Sequence, residues 1–210
     1  MNIVVIGLGS MGRRRIRLIK KYNESFEIHG IDLNTERCEI SKKEFGIETS
    51  SDLDKLLQSK KYDCAFVCTS PLSHATIISK CLASNLHVFT ELNLVSNGYD
   101  ANIKLARERE RVLFLSSTFL YREEILKIKE IIKNKKQLVN YSYHVGQYLP
   151  DWHPWENFKD FFVGDKRTNG CREIFAIELP WIIDIFGEIS NTKVVKDKIS
   201  SLNIDYNDVP

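Results

Sequence analysis

The N-terminus constrains this chain most, because a short apolar strand enters a glycine turn and a helical pattern follows. Residues 3–6 are all Ile or Val, and the next residues read Gly7-x-Gly9-x-x-Gly12. Gly7 permits a tight turn, Gly9 lets the backbone approach a pyrophosphate, and Gly12 lets the helix pack close to the strand. The positive end of that helix then faces the phosphates. The pattern predicts a dinucleotide site made of Gly7, Leu8, Gly9, Ser10, Met11 and Gly12.

An acidic residue follows at the spacing that dinucleotide sites require. A second apolar strand, 26–31, ends at Asp32, and 32 − 12 = 20 residues separate it from Gly12. A carboxylate there accepts hydrogen bonds from an adenosine ribose and repels a 2′-phosphate, so NAD is the predicted cofactor. NADP stays open because four arginines lie nearby: Arg13, Arg14, Arg15 and Arg37. The alternative is that Asp32 only caps the helix starting near Thr35 and that the arginines form a solvated face.

The composition is that of an ordinary soluble globular protein. The 210 residues are 43% hydrophobic and 28% charged, with a net charge of +2. This balance gives no electrostatic footprint for nucleic acid or a membrane surface, and no apolar run is long enough to span a bilayer. The five cysteines form no CxxC pair, so we expect no disulfide or metal site and a cytoplasmic location.

Strand and helix patterns alternate over residues 1–118, which predicts an α/β fold: a doubly wound parallel sheet of the Rossmann type. The pattern changes in residues 119–210. A helix is predicted over 122–133, an alternating antiparallel strand over 138–145, and a helix over 171–186 that Gly187 ends. Two further strand patterns cover 193–199 and 201–206. We therefore expect an α+β substrate and dimerisation domain, apparently incomplete at its C-terminal end.

Three motifs and the domain order resemble the Gfo/Idh/MocA oxidoreductases, named for glucose–fructose oxidoreductase and inositol dehydrogenase. Besides the glycine turn, residues 69–74 resemble the family's T-x-P-x-x-H turn, and residues 86–91 resemble its G-K-H-V-x-x-E-K-P segment. The resemblance implies further cofactor contacts at Thr69, Ser70, Pro71, His74 and Glu91. Each has a structural alternative, such as a helix cap at Ser70, helix-end packing at His74 and a satisfied loop carboxylate at Glu91.

The chain departs from the family where proton transfer takes place. The lysine and proline of the E-K-P motif are Leu92 and Asn93 here. The family's helix with an aspartate and, four residues on, a histidine aligns best with Glu173 and Ile177, followed by Glu178. Glu173 and Glu178 lie roughly 140° apart around a helix, so one can serve catalysis while the other binds substrate. The alternative is that one or both are surface or salt-bridged carboxylates.

An aromatic loop and two arginines supply the remaining candidates. Histidine suits proton transfer near neutral pH, so His153 is a candidate catalytic residue together with the two glutamates. Aromatic faces stack on sugar rings, and an arginine can bind a phosphate or carboxylate. The predicted substrate-binding residues are Tyr121, Arg122, Tyr148, Trp152 and Arg172. Interdomain packing, a helix start and local ion pairs are the alternatives for Tyr121, Arg122 and Arg172.

Two functions of different classes follow. The first is an NAD(P)-dependent oxidoreductase that transfers a hydride at a hydroxyl- or ketone-bearing carbon of a sugar or sugar derivative. The second is a dinucleotide-binding sensor or assembly protein without hydride chemistry, which Leu92 and Ile177 motivate. The expected partners are a small sugar-like substrate and a second copy of the chain in a homodimer, because an incomplete sheet exposes an edge that invites strand pairing. No nucleic acid or membrane partner is expected.

Overall fold

The computed structural model describes residues 1–135, 137–152, 154 and 156–208, which form two compact units, Met1–Ser116 and Ser117–Pro210. The first unit alternates strands and helices. Its elements are β1 Asn2–Ile6, α1 Ser10–Tyr22, β2 Glu27–Ile31, α2 Thr35–Phe45, β3 Glu48–Ser50, α3 Leu53–Ser59, β4 Cys64–Val67, α4 Pro71–Ala83, β5 His87–Thr90, α5 Tyr99–Glu108 and β6 Leu113–Leu115.

The strands form one parallel sheet in the order β3-β2-β1-β4-β5-β6. This is the doubly wound order of a Rossmann fold, so the predicted fold class is confirmed. Successive residues of β1 bury on opposite faces, as a period of two requires. Ile3 and Val5 pack with α1 and α2, whereas Val4 and Ile6 pack on the face that holds α3, α4 and α5. Because β1, β4 and β5 are parallel neighbours, their C-terminal ends meet at one edge of the sheet.

Short polar side chains and a glycine mark the helix ends in several places. Asn34 accepts a hydrogen bond from the Arg37 backbone N–H and so caps α2, and Gly46 ends that helix with φ of +62°. Asp52 caps α3 by accepting from the Lys55 backbone N–H at 2.9 Å. The three-residue strand β3 was not predicted from the sequence, because its Glu-Thr-Ser sequence has no apolar alternation.

The second unit contains helices α6 Glu123–Lys133, α7 Leu149–Trp152 and α8 Gly170–Phe186, with short 3-10 turns at Thr118–Tyr121, Phe158–Asp160 and Phe162–Gly164. The strands predicted over 138–145, 193–199 and 201–206 were wrong: the described residues of this unit hold one isolated bridge, at Asp197, and no strand. In the part of the chain that the structure describes, no helix has the length and apolar character to cross a membrane.

Candidate functional site

The glycine turn lies between β1 and α1 and is built from close backbone contacts. Gly7 has φ of +93°, and a Cβ placed there would lie 2.7 Å from the Cys68 carbonyl carbon. A Cβ on Gly12 would lie 1.8 Å from the Gly7 carbonyl oxygen. Around Gly9, by contrast, the nearest described atom to such a Cβ is the Arg37 Nη1, at 3.8 Å. The turn is closed on the protein side and open at Gly9, as a backbone approach to a ligand requires.

The first turn of α1 offers backbone donors to an anion. The helix starts with Ser10, Met11 and Gly12, has no carboxylate in its first turn, and has Gly9 as its N-cap, which offers no side chain to these N–H groups. The N–H groups of a helix's first turn have no intrahelical partner, and the helix dipole adds positive potential there. The turn therefore fits a dinucleotide pyrophosphate. Leu8 contributes only backbone, because its side chain is fully buried.

Asp32 fixes the glycine turn from the end of β2. Its Oδ2 accepts the Leu8 backbone N–H at 2.7 Å, and its Oδ1 accepts the Asn34 backbone N–H at 2.9 Å. Its side chain is 10% exposed, and the Arg37 guanidinium lies 3.9 Å away. The cap of α2 is Asn34, so the alternative in which Asp32 caps this helix is wrong. Of the arginines named above, Arg37 lies beside Asp32, whereas Arg13 lies 3.8 Å from Glu44 and Arg15 bonds to Glu91.

We expect Asp32→Ala to lower NADH affinity by about tenfold, or about 1.4 kcal/mol, and to lower NADPH affinity less. The substitution removes both the ribose acceptor and the anchor of the Leu8 N–H, but it also removes a charge that repels a 2′-phosphate. Fluorescence titration with both cofactors measures the two affinities. Asp54→Ala, in an exposed ion pair with Lys80, is the matched control. Equal losses for NADH and NADPH would contradict a role in cofactor discrimination.

The turn after β4 is tied to the loop after β5 through His74. His74 is 1% exposed, its Nε2 lies 2.9 Å from the Thr69 carbonyl oxygen, and its Nδ1 lies 2.6 Å from the Asn93 Oδ1. The Nε2 must donate to the carbonyl, so the contact at Nδ1 depends on the Asn93 amide orientation. In this position His74 holds the turn after β4 against the loop after β5. Pro71 opens α4, and the Ser70 hydroxyl makes no cap bond within the described residues.

The Glu91 carboxylate is held by Arg15, which reaches across from α1. Arg15 Nε donates to Glu91 Oε1 at 2.5 Å, and its Nη2 donates to the Ser116 Oγ at 3.1 Å. The guanidinium carbon lies 4.7 Å from the Phe89 ring centroid, and both ionic side chains are less than one-fifth exposed, at 16% and 13%. This half-buried pair joins the helix of the glycine turn to the end of β5. Glu91 is thus satisfied by a side chain, and the sequence pattern carried no signal for this partner.

Replacement of Arg15 by glutamine is expected to lower the free energy of unfolding by about 2 kcal/mol, because it leaves the Glu91 carboxylate half-buried without its cation. The double variant Arg15→Gln, Glu91→Gln should recover part of that loss. Urea unfolding of the single and double variants measures the coupling. Lys80→Gln, which breaks the exposed pair with Asp54, should change stability by less than about 1 kcal/mol. If Arg15→Gln and Lys80→Gln lowered the free energy of unfolding by similar amounts, the Arg15 pair would contribute no more than a surface contact.

The second unit holds an aromatic cavity of about 740 Å³, which includes Tyr148, Trp152 and Glu178 among its lining residues. Glu178 is 6% exposed and its Oε2 accepts the Trp181 Nε1–H at 2.6 Å. Burial and the neighbouring Glu178 raise the pKa of Tyr143, which also packs edge-on against Trp181. Glu178 is therefore engaged in an aromatic cluster. Tyr143 and its neighbour Tyr141 were not predicted as site residues, although both lie on the apolar side of the alternation over 138–145.

Glu173 lies in the first turn of α8 and has a different environment. Its Oε2 is buried and has no hydrogen-bond partner among the residues that the structure describes. Burial alone raises the pKa of this carboxyl to about 7. A carboxyl that titrates near neutral pH can both accept and release a proton under working conditions.

The other predicted substrate residues do not line the described wall of the aromatic cavity. Tyr121 is 65% exposed, and the Arg122 guanidinium stacks 3.9 Å from the Phe119 ring centroid at the start of α6. The Arg172 side chain is exposed, and its backbone N–H is capped by Asn169. His153 and the neighbouring Trp155 lie outside the described residues, so the prediction for His153 stands as made. Among the described residues, no group of His, Cys, Asp or Glu is arranged to hold a metal ion.

Comparisons with known proteins agree with this geometry. Residues 1–117 match the model of an oxidoreductase family with an NAD-binding Rossmann fold, Gfo/Idh/MocA, which supports the predicted cofactor. The chain is 26% identical over 137 residues to myo-inositol 2-dehydrogenase of Thermotoga maritima, covering 64% of this chain and 41% of the relative. It is 27% identical over 193 residues to mouse biliverdin reductase A, covering 90% and 59%.

A solved structure shares the fold at lower identity. The WlbA dehydrogenase from Bordetella pertussis, in complex with NADH and UDP-GlcNAcA, superposes with a TM-score of 0.59 at 18% identity, covering 62% of this chain and 42% of that one. The chain thus spans about two-fifths to three-fifths of the length of these relatives. The resemblance seen in the sequence is confirmed by the family match over more than half of the chain. This protein belongs to the Gfo/Idh/MocA oxidoreductase family.

Proposed function

We propose that the protein is an NAD(P)-dependent oxidoreductase that acts on a sugar or sugar derivative at a carbon bearing a hydroxyl or ketone. Two similar proteins support this substrate class: one is named a myo-inositol 2-dehydrogenase, and the other was solved in complex with NADH and UDP-GlcNAcA. Residues 119–210 would serve as the substrate domain. A homodimer and a cytoplasmic location remain predictions of the same proposal.

The first unit would hold the cofactor with its own backbone and three polar side chains. The first turn of α1 binds the pyrophosphate, Asp32 binds the adenosine ribose, and the Ser70 hydroxyl and Glu91 lie at the ends of the neighbouring strands. When bound, the nicotinamide supplies or accepts a hydride at its C4. Arg15 orients the Glu91 carboxylate at this edge of the sheet, because it bonds to one carboxylate oxygen.

The second unit would handle the substrate and the proton. Glu173 gives its proton to the carbonyl oxygen when a ketone is reduced, and takes it from the hydroxyl when an alcohol is oxidised. Tyr148 and Trp152 offer aromatic faces to a sugar ring, and Glu178 lines the same cavity. His153 remains a second candidate for the proton. The observation that carries the catalytic proposal is the buried Glu173 carboxyl, whose pKa of about 7 suits it to replace the family's missing lysine and histidine.

The non-catalytic alternative rests on Leu92 and Ile177, because neither side chain can carry a proton. Stopped-flow absorbance at the NADH band, with a panel of keto- and hydroxy-sugars, separates the two functions. We expect at least one sugar to change the absorbance of protein-bound cofactor, and such a change would exclude a pure sensor. Tight NADH binding with no change across the panel would overturn the sugar oxidoreductase proposal. Bilirubin and biliverdin belong in the panel, since a biliverdin reductase is among the relatives.

A further inference from the structure

We propose that the first unit carries a second binding site, which takes a small organic carboxylate with an apolar body. The site is a cavity of about 400 Å³ between α4, α5 and β6. It lies on the sheet face that holds Ile78 and Ala106, whereas α1 and the glycine turn pack on the opposite face. This site does not depend on the proposed oxidoreductase activity.

The walls of the cavity are apolar and belong to three elements. Ile78 of α4 and Ala106 of α5 form its inner wall and are 2% and 5% exposed. Leu113 and Leu115 contribute from β6, which is the edge strand of the sheet. Ile103 lies at the rim and is 38% exposed, so the cavity opens to solvent beside this edge. A volume of this size falls within the range of small-molecule pockets.

Two arginines line the cavity, and neither has an acidic partner among the described residues. Arg107 is exposed and its side chain makes no ion pair or hydrogen bond there, whereas the Arg111 Nε is buried without an acceptor. The Arg111 Nη1 lies 3.3 Å from the His87 Nε2. The His87 Nδ1 accepts the Val112 backbone N–H at 3.0 Å, so the neutral ring carries its proton on Nε2 and cannot accept from Arg111.

An unsatisfied guanidinium beside an apolar wall calls for an anion. A carboxylate can accept two parallel N–H bonds from one arginine, which satisfies both charge and geometry. Two buried polar groups of the lining already have partners: His74 contacts Asn93, and the Asn102 Nδ2 donates to the Ala75 carbonyl at 3.0 Å. The acid group of the ligand therefore lies at Arg107 and Arg111, and its apolar body lies along Ile78, Ala106 and Leu113.

Octanoate is a suitable probe, with octanol as its uncharged counterpart. Calorimetric titration of the whole chain should show saturable octanoate binding, with octanol at least about tenfold weaker. Arg111→Gln should weaken octanoate binding by about tenfold or more, whereas Arg109→Gln, at an exposed position after α5, should leave it unchanged. Saturating NADH should not displace octanoate, because Arg107 and Arg111 precede β6 and so lie towards the N-terminal ends of the parallel strands, whereas the glycine turn follows the C-terminal end of β1.

A second variant tests the cavity without removing a charge. Ile103→Trp places a larger side chain at the rim and should weaken octanoate binding while circular dichroism shows an unchanged fold. The proposal is overturned by equal affinities for octanoate and octanol, by equal effects of Arg111→Gln and Arg109→Gln, or by full displacement with NADH. It is also overturned if octanoate does not bind. Loss of self-association in Ile103→Trp would then show that the cavity is a contact between copies of the chain.

Discussion

Gly12→Ala is expected to lower NADH affinity by about 100-fold, which corresponds to about 2.7 kcal/mol. The new Cβ would lie 1.8 Å from the Gly7 carbonyl oxygen, a backbone atom that cannot rotate away. The glycine turn must widen to make room for the Cβ. The backbone N–H groups at the start of α1 then no longer point together at the pyrophosphate. Forced overpacking costs about 3 kcal/mol, and the better helix propensity of alanine offsets only about 1 kcal/mol. The melting temperature should therefore fall by roughly 4–8 °C.

Gly146→Ala is the matched control for this variant, because no described atom lies within 4 Å of the added Cβ. It should leave both the melting temperature and the NADH affinity unchanged. Fluorescence titration and thermal unfolding by circular dichroism measure the two quantities. Native NADH affinity in Gly12→Ala would mean that the cofactor does not use this turn.

Glu173→Gln is expected to lower the rate of hydride transfer by about 10²–10⁴-fold, because the amide cannot exchange a proton with the substrate oxygen. The wild-type rate should change with an inflection near pH 7, the value to which burial raises the pKa of Glu173. The variant should lack this inflection. Single-turnover kinetics between about pH 5 and 9 tests both points, and an unchanged profile would assign the proton to another group, with His153 first to be tested.

The same carboxyl gives a prediction for stability that needs no substrate. Its pKa rises from 4.5 when unfolded to about 7 when folded, so the folded state binds more protons between these values. The free energy of unfolding should therefore fall as the pH rises through this window, by up to about 3 kcal/mol, and level off above it. Glu173→Gln should lack this decrease, whereas the exposed control Glu188→Gln should keep it. If the free energy of unfolding depended on pH in the same way in wild type and in Glu173→Gln, the Glu173 carboxyl would be solvated.

Short-range signals predicted most of the first unit. The strand, glycine turn and helix at the N-terminus, and the helix that starts near Thr35, depend on periodicity and end residues that lie within one segment. The spacing of Asp32 predicted its nearness to the turn. Its bond to the Leu8 N–H, like the bond between Arg15 and Glu91, joins segments that only the folded sheet brings together, so no local pattern could report it.

The strand over 138–145 shows the limit of alternation as a signal. Alternating apolar residues indicate that one side of a segment is buried, but a strand also needs a hydrogen-bonded neighbour. Here Tyr141 and Tyr143 pack against Trp181 of α8 without a partner strand among the described residues. The same limit explains why the two tyrosines were not predicted as site residues. The alternation puts both on one side of the segment, but their contact with Glu178 depends on the position of α8.

Titration of the protein with NADH, followed by nicotinamide fluorescence, tests the central claim that this chain holds a dinucleotide at its glycine turn. Saturable binding with one NADH per chain is predicted at concentrations below about 1 mM, the upper range at which such enzymes work. Asp32→Ala and Gly12→Ala should weaken it, and Gly146→Ala should not. No saturation at that concentration, or equal binding by all four proteins, would contradict the account.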